Sequence, residues 1–495
     1  MTVALKQMPA QRAAPIDAEA RMVPRPHQEI ARDHILAARA EGKPGFLLGD
    51  ITGFGKTLSI WSAILAMPEN EVLIVCTRAG QPQWRRTIRL TRWMVEDDLA
   101  RDKQVTITTY GRTKSLLMPL TATLKRSARA KNNELAKLGQ LKRTWPIVVF
   151  DEAHKIRNPY SQQGMVCRKL ADAALFPIFA SATAGQTPHE LSYLGRLLGH
   201  AAGMPVRDLA GFRDLMKKLK IGKAKGRWVN WKWAANDNDR EVMCRLLYTG
   251  PRAIGLRRTK IDGWRDIQRE AMPVALEPAA AKLYKAGWRD FRKELGLAGG
   301  STRRPAGKVA EMRFRQKASL LRVQGTVDLA ADLLDDGVQV AISVAFLETA
   351  RMVEEGLRAQ GWRVGQINGQ QKSDVNEEIR LAFQGGALDA VVFTVEDSIS
   401  LHQGEMPGGN RPRVQLIHDI RHSAIQNKQI EGRTNRDGAW APIYYLFAED
   451  TVEEKIAQTA VSRMASMDGM AGDDTSLLDA MLDQLEAAAL ERAAA

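Results

Sequence analysis

The chain has 495 residues, with 72 Lys and Arg against 57 Asp and Glu for a formal net charge of +15, and 44% apolar and 26% charged residues. These are ordinary values for a soluble globular protein with room for two or three domains. No apolar run approaches bilayer length, and the opening segment lacks the apolar core of a secretory signal. Cys76, Cys167 and Cys244 lie far apart with no CxxC pair, which predicts reduced thiols in a cytoplasmic setting and argues against a zinc site. The positive excess suits a polyanionic partner, because Lys and Arg release counterions from phosphates; a merely basic soluble protein is the alternative.

In chain order, "FLLGD" (46–50) is a short apolar run entering the glycine turn of "DITGFGKT" (50–57), and "KTLSIWSAILAM" follows with helical spacing. "EVLIVCT" (71–77), "PIVVFDEAH" (146–154) and "FPIFASATA" (176–184) read as further buried strands ending in polar residues. Repeated strand–helix units predict a mostly parallel sheet whose ligands gather at the carboxyl ends of the strands. From about 186 to 330 the sequence turns mainly helical and basic. The strand pattern resumes with "VQVAISVAF" (338–346), "WRVGQING" (362–369), "LDAVVFTVED" (388–397), "VQLIHDI" (414–420) and "PIYYLFAED" (442–450). The spacing therefore predicts an α/β protein of two lobes separated by a helical insertion. In the last segment Leu478, Leu482 and Leu485 share one helical stripe, expected to dock or to fray.

Three stretches carry chemistry. A phosphate loop needs backbone N–H groups pointing inward, a lysine and a hydroxyl. Gly53 and Gly55 permit the turn, Lys56 brings the charge for the β- and γ-phosphates of ATP, and Thr57 brings the hydroxyl for Mg²⁺; Asp50 stands where the common pattern has glycine. "DEAH" (151–154) ends its strand so that Asp151 can hold Mg²⁺ through water while Glu152 orients or deprotonates the attacking water, an acidic turn being the plain alternative. "QIEGRTNR" (429–436) supplies Gln429, Arg433 and Arg436; the two arginines share a helical face and can reach across a cleft, unless they are a solvated helix end.

These blocks, in this order, resemble the superfamily 2 helicases, and specifically the Swi/Snf-type DNA translocases, over residues 21 to 460. That family's loop reads D-E-M-G-L-G-K-T, so Asp50 is its expected first letter. The resemblance implies two RecA-like parallel-sheet lobes with ATP between them. "RPHQ" resembles R-P-Y-Q and makes Gln28 the adenine reader. "LIVCTRAGQPQW" and "TITTYGR" resemble blocks that contact the nucleic-acid backbone, implying that role for Arg78, Trp84, Thr109 and Tyr110. His154, with Ser181 and Thr183 of "SATA" in place of T-G-T-P, is implied to couple the lobes, and "LRRTKIDG" (256–263) is similar to L-R-R-x-K. "TVEDSISLH" (394–402) replaces T-K-A-G-G-x-G-L-N; Thr394 and Ser398 are implied to touch nucleic acid, although Asp397 and Ser398 stand where two glycines are expected. "GRWVNWKWAANDNDREVMCRLL" resembles an insert of the annealing-helicase branch. Read as a strand, it turns Trp228 to one side and Trp231 and Trp233 to the other, so Trp228 is expected to stack on a base, with a wholly buried tryptophan cluster as the alternative.

The expected organisation is a tail over 1–20, an ATP-binding lobe over 21–185, an insertion and linker over 186–330, a second lobe over 331–460 and an acidic, Ala-rich helix or tail over 461–495. The implied activity is an ATP- and Mg²⁺-dependent, DNA-stimulated ATPase that moves along duplex or forked DNA, in a bacterial cytoplasm and without a membrane partner. A strand-separating DNA or RNA helicase and a non-hydrolysing nucleic-acid-binding protein are the alternatives. Basic stretches at 124–143 and 301–317 either face nucleic acid or are solvated helix faces.

Overall fold

Continuous apolar runs can be buried on both faces only if helices cover both sides of the sheet, which is the condition for parallel strands. The computed structural model describes residues 22–92, 103–118, 139–222, 224–225, 228–229, 237–261, 264–297, 305–394, 399–404, 409–436 and 438–494. The first lobe runs α1 (Pro26–Ala40), β1 (Phe46–Leu48), α2 (Lys56–Leu65), β2 (Glu71–Cys76), α3 (Gly80–Leu90), β3 (Gln104–Thr109), β4 (Ile147–Asp151), α4 (Gln162–Ala173) and β5 (Phe176–Ala180). Two helices, α5 (Gly195–Ala201) and α6 (Leu209–Lys218), precede a short antiparallel hairpin of β6 (Ala224–Lys225) and β7 (Trp228–Val229). After α7 (Asp237–Cys244) the chain returns to the first sheet as β8 (Gly255–Leu256).

The first sheet is all parallel, in the order β3-β2-β4-β5-β1-β8. Successive residues alternate between its two cores. Leu73, Val75, Val148 and Phe150 face one, while Val72, Ile74, Ile147 and Val149 face the other. β5 sits between β1, which leads into the glycine loop at 50–57, and β4, which ends at Asp151, so both segments leave the same edge.

The second lobe begins earlier than the sequence pattern indicates. β9 (Arg269–Val274) lies within the segment expected as a helical insertion, yet pairs in register with β14 of the second sheet. It is followed by α8 (Pro278–Leu297), α9 (Pro305–Leu321), α10 (Val323–Asp335), β10 (Gln339–Ser343), α11 (Leu347–Ala359), β11 (Val364–Ile367), α12 (Ser373–Gln384), β12 (Ala390–Phe393), β13 (Arg413–Ile417), α13 (Ala424–Glu431) and β14 (Ile443–Ala448). This sheet is also parallel, ordered β11-β12-β10-β13-β14-β9. The architecture is two RecA-like α/β lobes.

The terminal helices α14 (Val452–Ala471) and α15 (Ser476–Ala494) are part of the packed structure. Leu478, Met481 and Leu485 are buried in the second lobe with Leu482 packed beside them, so the leucine stripe docks. α14 places Met464 and Met467 in the second lobe's core and Met470 in the first lobe's. Among the described residues no helix is long and apolar enough to cross a membrane.

Candidate nucleotide site between the lobes

The phosphate loop takes its shape from two glycines in the left-handed region, Gly53 at φ 95° and Gly55 at φ 71°, where other residues are strained. Because α2 starts at Lys56, the loop's amides and the positive end of the helix converge on one point. The Lys56 ammonium donates to the carbonyls of Asp50 (2.8 Å) and Ile51 (3.1 Å), and burial pushes its pKa down. Thr57 Oγ1 accepts from Gln83 Nε2 at 3.4 Å.

Two residues expected to touch nucleotide have other partners. Gln28 is buried; its Nε2 donates to the Phe54 carbonyl (3.3 Å) and its Oε1 accepts from the Arg25 amide (2.9 Å), so it braces the tip of the loop. Asp50 is 1% exposed and its carboxylate accepts from Arg258 Nε at 3.1 Å. That pairing corrects its expected place at the nucleotide: an unpaired carboxylate there would repel phosphate, whereas paired to Arg258 it anchors the loop.

At the end of β4, Asp151 accepts from Trp84 Nε1 (2.8 Å) and from the Glu152 amide (3.1 Å). Burial, then the neighbouring Glu152 charge, pushes the Asp151 carboxyl up to about 6. Burial also pushes Glu152 up, but the hydrogen bond and charge of His154, with Lys56 and Arg433, outweigh it and hold Glu152 at about 2. Glu152 sits at φ 54°, ψ 51°, a left-handed conformation that costs a non-glycine residue energy and turns its carboxylate to His154.

The expectation that Trp84 and Tyr110 touch nucleic acid is overturned. Trp84 is fully buried and its indole orients Asp151; Tyr110 is 6% exposed and its hydroxyl donates to the Asp151 carbonyl at 2.6 Å. Both support the acid strand from below. Arg78 is exposed just past β2, and Thr109 and Thr394 are half-buried at the carboxyl ends of β3 and β12. Trp228 lies in β7 opposite Lys225, while Trp231, Trp233, Asp397 and Ser398 fall outside the described residues, as do 124–138 and 301–304.

The coupling residues do meet. His154 is 1% exposed, with Nδ1 3.1 Å from Ser181 Oγ and 3.3 Å from a Glu152 carboxylate oxygen. Its Nε2 lies 3.1 Å from Gln429 Nε2 on α13 of the second lobe. The Thr183 amide donates to Ser181 Oγ at 3.2 Å. A second bond between the lobes runs from the Ala424 amide to Gln186 Oε1 at 2.7 Å.

Arg433 is buried, donating from Nε to the Gln429 carbonyl (2.8 Å) and from Nη1 to the Ile399 carbonyl (2.9 Å). Arg436 is half-buried and, with Thr52, Thr183, Gly432 and Asn435, lines a cavity of about 170 Å³ between the lobes. A Cβ on Gly432 would come within 3.2 Å of Thr52, so the glycine permits the close approach of α13 to the loop.

Arg257 was not assigned from the sequence. It donates to the Gly49 carbonyl before the phosphate loop and to the Ala182 carbonyl of the coupling loop (2.9 Å), and it is held by Asp473 beyond α14 (2.6 Å at Nε). The "LRRTK" block marked the position without revealing the partner.

With this geometry in place, comparison with known proteins finds one family model, over the first lobe. Residues 21–180 match the family model of the type III restriction enzyme res subunit. The first lobe is similar to that subunit. No curated protein matches the chain. Among solved structures, the Sulfolobus solfataricus SWI2/SNF2 ATPase core in complex with dsDNA is 18% identical, covering 94% of this chain and 97% of that one, with a TM-score of 0.36. The Sulfolobus solfataricus SWI2/SNF2 ATPase core domain is 17% identical, covering 89% and 88%, also at 0.36.

Proposed function

We propose that the cleft binds and hydrolyses ATP, that nucleic acid stimulates the reaction, and that the cycle moves the protein along duplex or forked DNA. The observation that carries this reading is His154, whose two ring nitrogens join Glu152 of the first lobe to Gln429 of the second. Through it the proposed general base is oriented only when the lobes are together, so any ligand that favours closure raises turnover.

The residues fit ATP and Mg²⁺. The loop amides and Lys56 suit the phosphates, and Thr57 Oγ1 with the Asp151 carboxylate would hold the metal. Mg²⁺ supplies charge neutralisation at the phosphate oxygens when bound. Glu152, kept ionised by His154, takes the proton of the attacking water. Arg433 and Arg436 oppose the negative charge that grows on the transferred phosphoryl group. The net charge of +15 supports a phosphate-backboned partner.

ATPase assays with single-stranded, duplex and forked DNA and with RNA test the reading. Duplex or forked DNA is expected to stimulate most, and Lys56→Ala to abolish turnover. Turnover in Lys56→Ala equal to the parent's would remove the site assignment.

A further inference from the structure

α8 is amphipathic in charge as well as in apolarity. At about 100° per residue, Tyr284, Gly287, Trp288 and Phe291 occupy one arc. That arc packs on α9, where Tyr284, Trp288 and Phe291 cluster with Phe314. The opposite arc holds Lys282, Lys285, Arg289, Arg292 and Lys293, all exposed. No carboxylate among the described residues pairs with any of the five. Of the helix's two acids, Asp290 is exposed at the border of the arc and forms no ion pair with these cations, and Glu294 pairs with Arg313 of α9 at 3.5 Å. Uncompensated like charges repel one another across one helix face, and an external anion relieves that repulsion.

The α8–α9 pair is also well placed. α9 abuts the carboxyl ends of β10 and β13: Ser319 Oγ donates to Asp419 at 2.9 Å and Arg315 to the Ile420 carbonyl at 3.3 Å. This is the edge where parallel sheets bind ligands. The stretch singled out by composition, 301–317, has Arg313 and Arg315 already engaged, whereas the cations of α8 point outward.

We infer that the outer face of α8 is a docking surface for the phosphate backbone of duplex DNA. Lys282 to Arg292 spans about 15 Å of helix axis, and one strand of B-DNA carries a charge every 3.4 Å or so along its axis. Four to five phosphates therefore face the stripe. The cations are spaced three and four residues apart, so they follow one line along the helix. With flexible stems, they read charge rather than sequence.

The inference rests on the proposed function for its biological sense, but its test reads binding alone. Lys282→Gln, Lys285→Gln, Arg289→Gln and Arg292→Gln are combined, and duplex DNA affinity is measured across a salt series in the full chain. A contribution of about 0.9 per neutralised phosphate predicts that the slope of log K against log[salt] falls by roughly 3 to 4. Affinity at low salt should drop at least tenfold, with melting temperature and DNA-free ATPase unchanged. A control carrying Arg351→Gln and Arg363→Gln, both ion-paired in the parent, should keep the parent slope. An unchanged slope in the quadruple variant overturns the inference and makes the stripe a solvated face. Loss of binding to anionic vesicles with DNA affinity intact overturns it in favour of a membrane surface. Parent protein that binds duplex DNA through α8 yet shows no stimulated ATPase would leave the surface standing and remove the function.

Discussion

Asp151 and Glu152 are adjacent carboxyls driven in opposite directions by what surrounds them. Asp151 is fixed by an indole and an amide, neutral donors that do not offset its burial, while Glu152 faces His154, Lys56 and Arg433. The folded Asp151 value, about 6, lies above its ordinary 3.8, so the folded protein binds this proton more tightly than the unfolded chain does. Its contribution to stability is therefore fully present below pH 4 and is lost as pH rises through 6. Asp151→Asn should remove that loss. We expect the variant to be more stable than the parent by about 1–2 kcal/mol at pH 8, after allowance for partial exposure, with the difference vanishing near pH 4. Thermal melts at the two pH values measure it; equal melting temperatures at pH 8 would show that Asp151 is not strained. The same substitution is expected to abolish the proposed ATP turnover; if it does, stability is given up here for chemistry.

Among the elements, the segment joining β8 to β9 ties distant parts of the chain together through Arg257. Arg257 ties the phosphate loop and the coupling loop to Asp473, and Lys428 of α13 pairs with Asp468 of α14 at 2.7 Å. Arg257→Ala would leave Asp473 in a mostly buried position without its partner and two carbonyls without a donor, so a loss of about 3–5 kcal/mol is expected. Adding Asp473→Ala should recover part of it, because the uncompensated charge is then gone. Urea denaturation of both variants checks this; a double variant no more stable than the single one would mean that the carboxylate is solvated. None of this was legible in the sequence. The phosphate loop, the acids and the arginines could be read because each packs its chemistry into eight residues or fewer. Arg257 and Asp473 are 216 residues apart, and Trp84 and Asp151 are 67 apart. In the second case a polar-looking block concealed a buried brace. β9 escaped notice because Arg269, Glu270 and Pro273 interrupt its apolar pattern, which an edge strand tolerates.

For the whole molecule, the two lobes share structure as well as a cleft. They are joined by the His154–Gln429 and Ala424–Gln186 hydrogen bonds, and α14 is planted in both cores through Met464, Met467 and Met470. Domains joined only by linkers melt separately, whereas lobes that share a buried helix should unfold together. Calorimetry of the ligand-free protein should show a single cooperative transition, and two resolved endotherms would contradict it.

Met470 also bears on how the protein is made. Its side chain completes a core whose first five strands, from Phe46 to Ala180, leave the ribosome long before it does. Domains ordinarily fold as they emerge, amino-terminal first. Here the first lobe can collapse early but keeps an empty seat in its interior until the second lobe has been synthesised and α14 arrives. Completion of the first lobe's core is thereby timed to the presence of the second lobe.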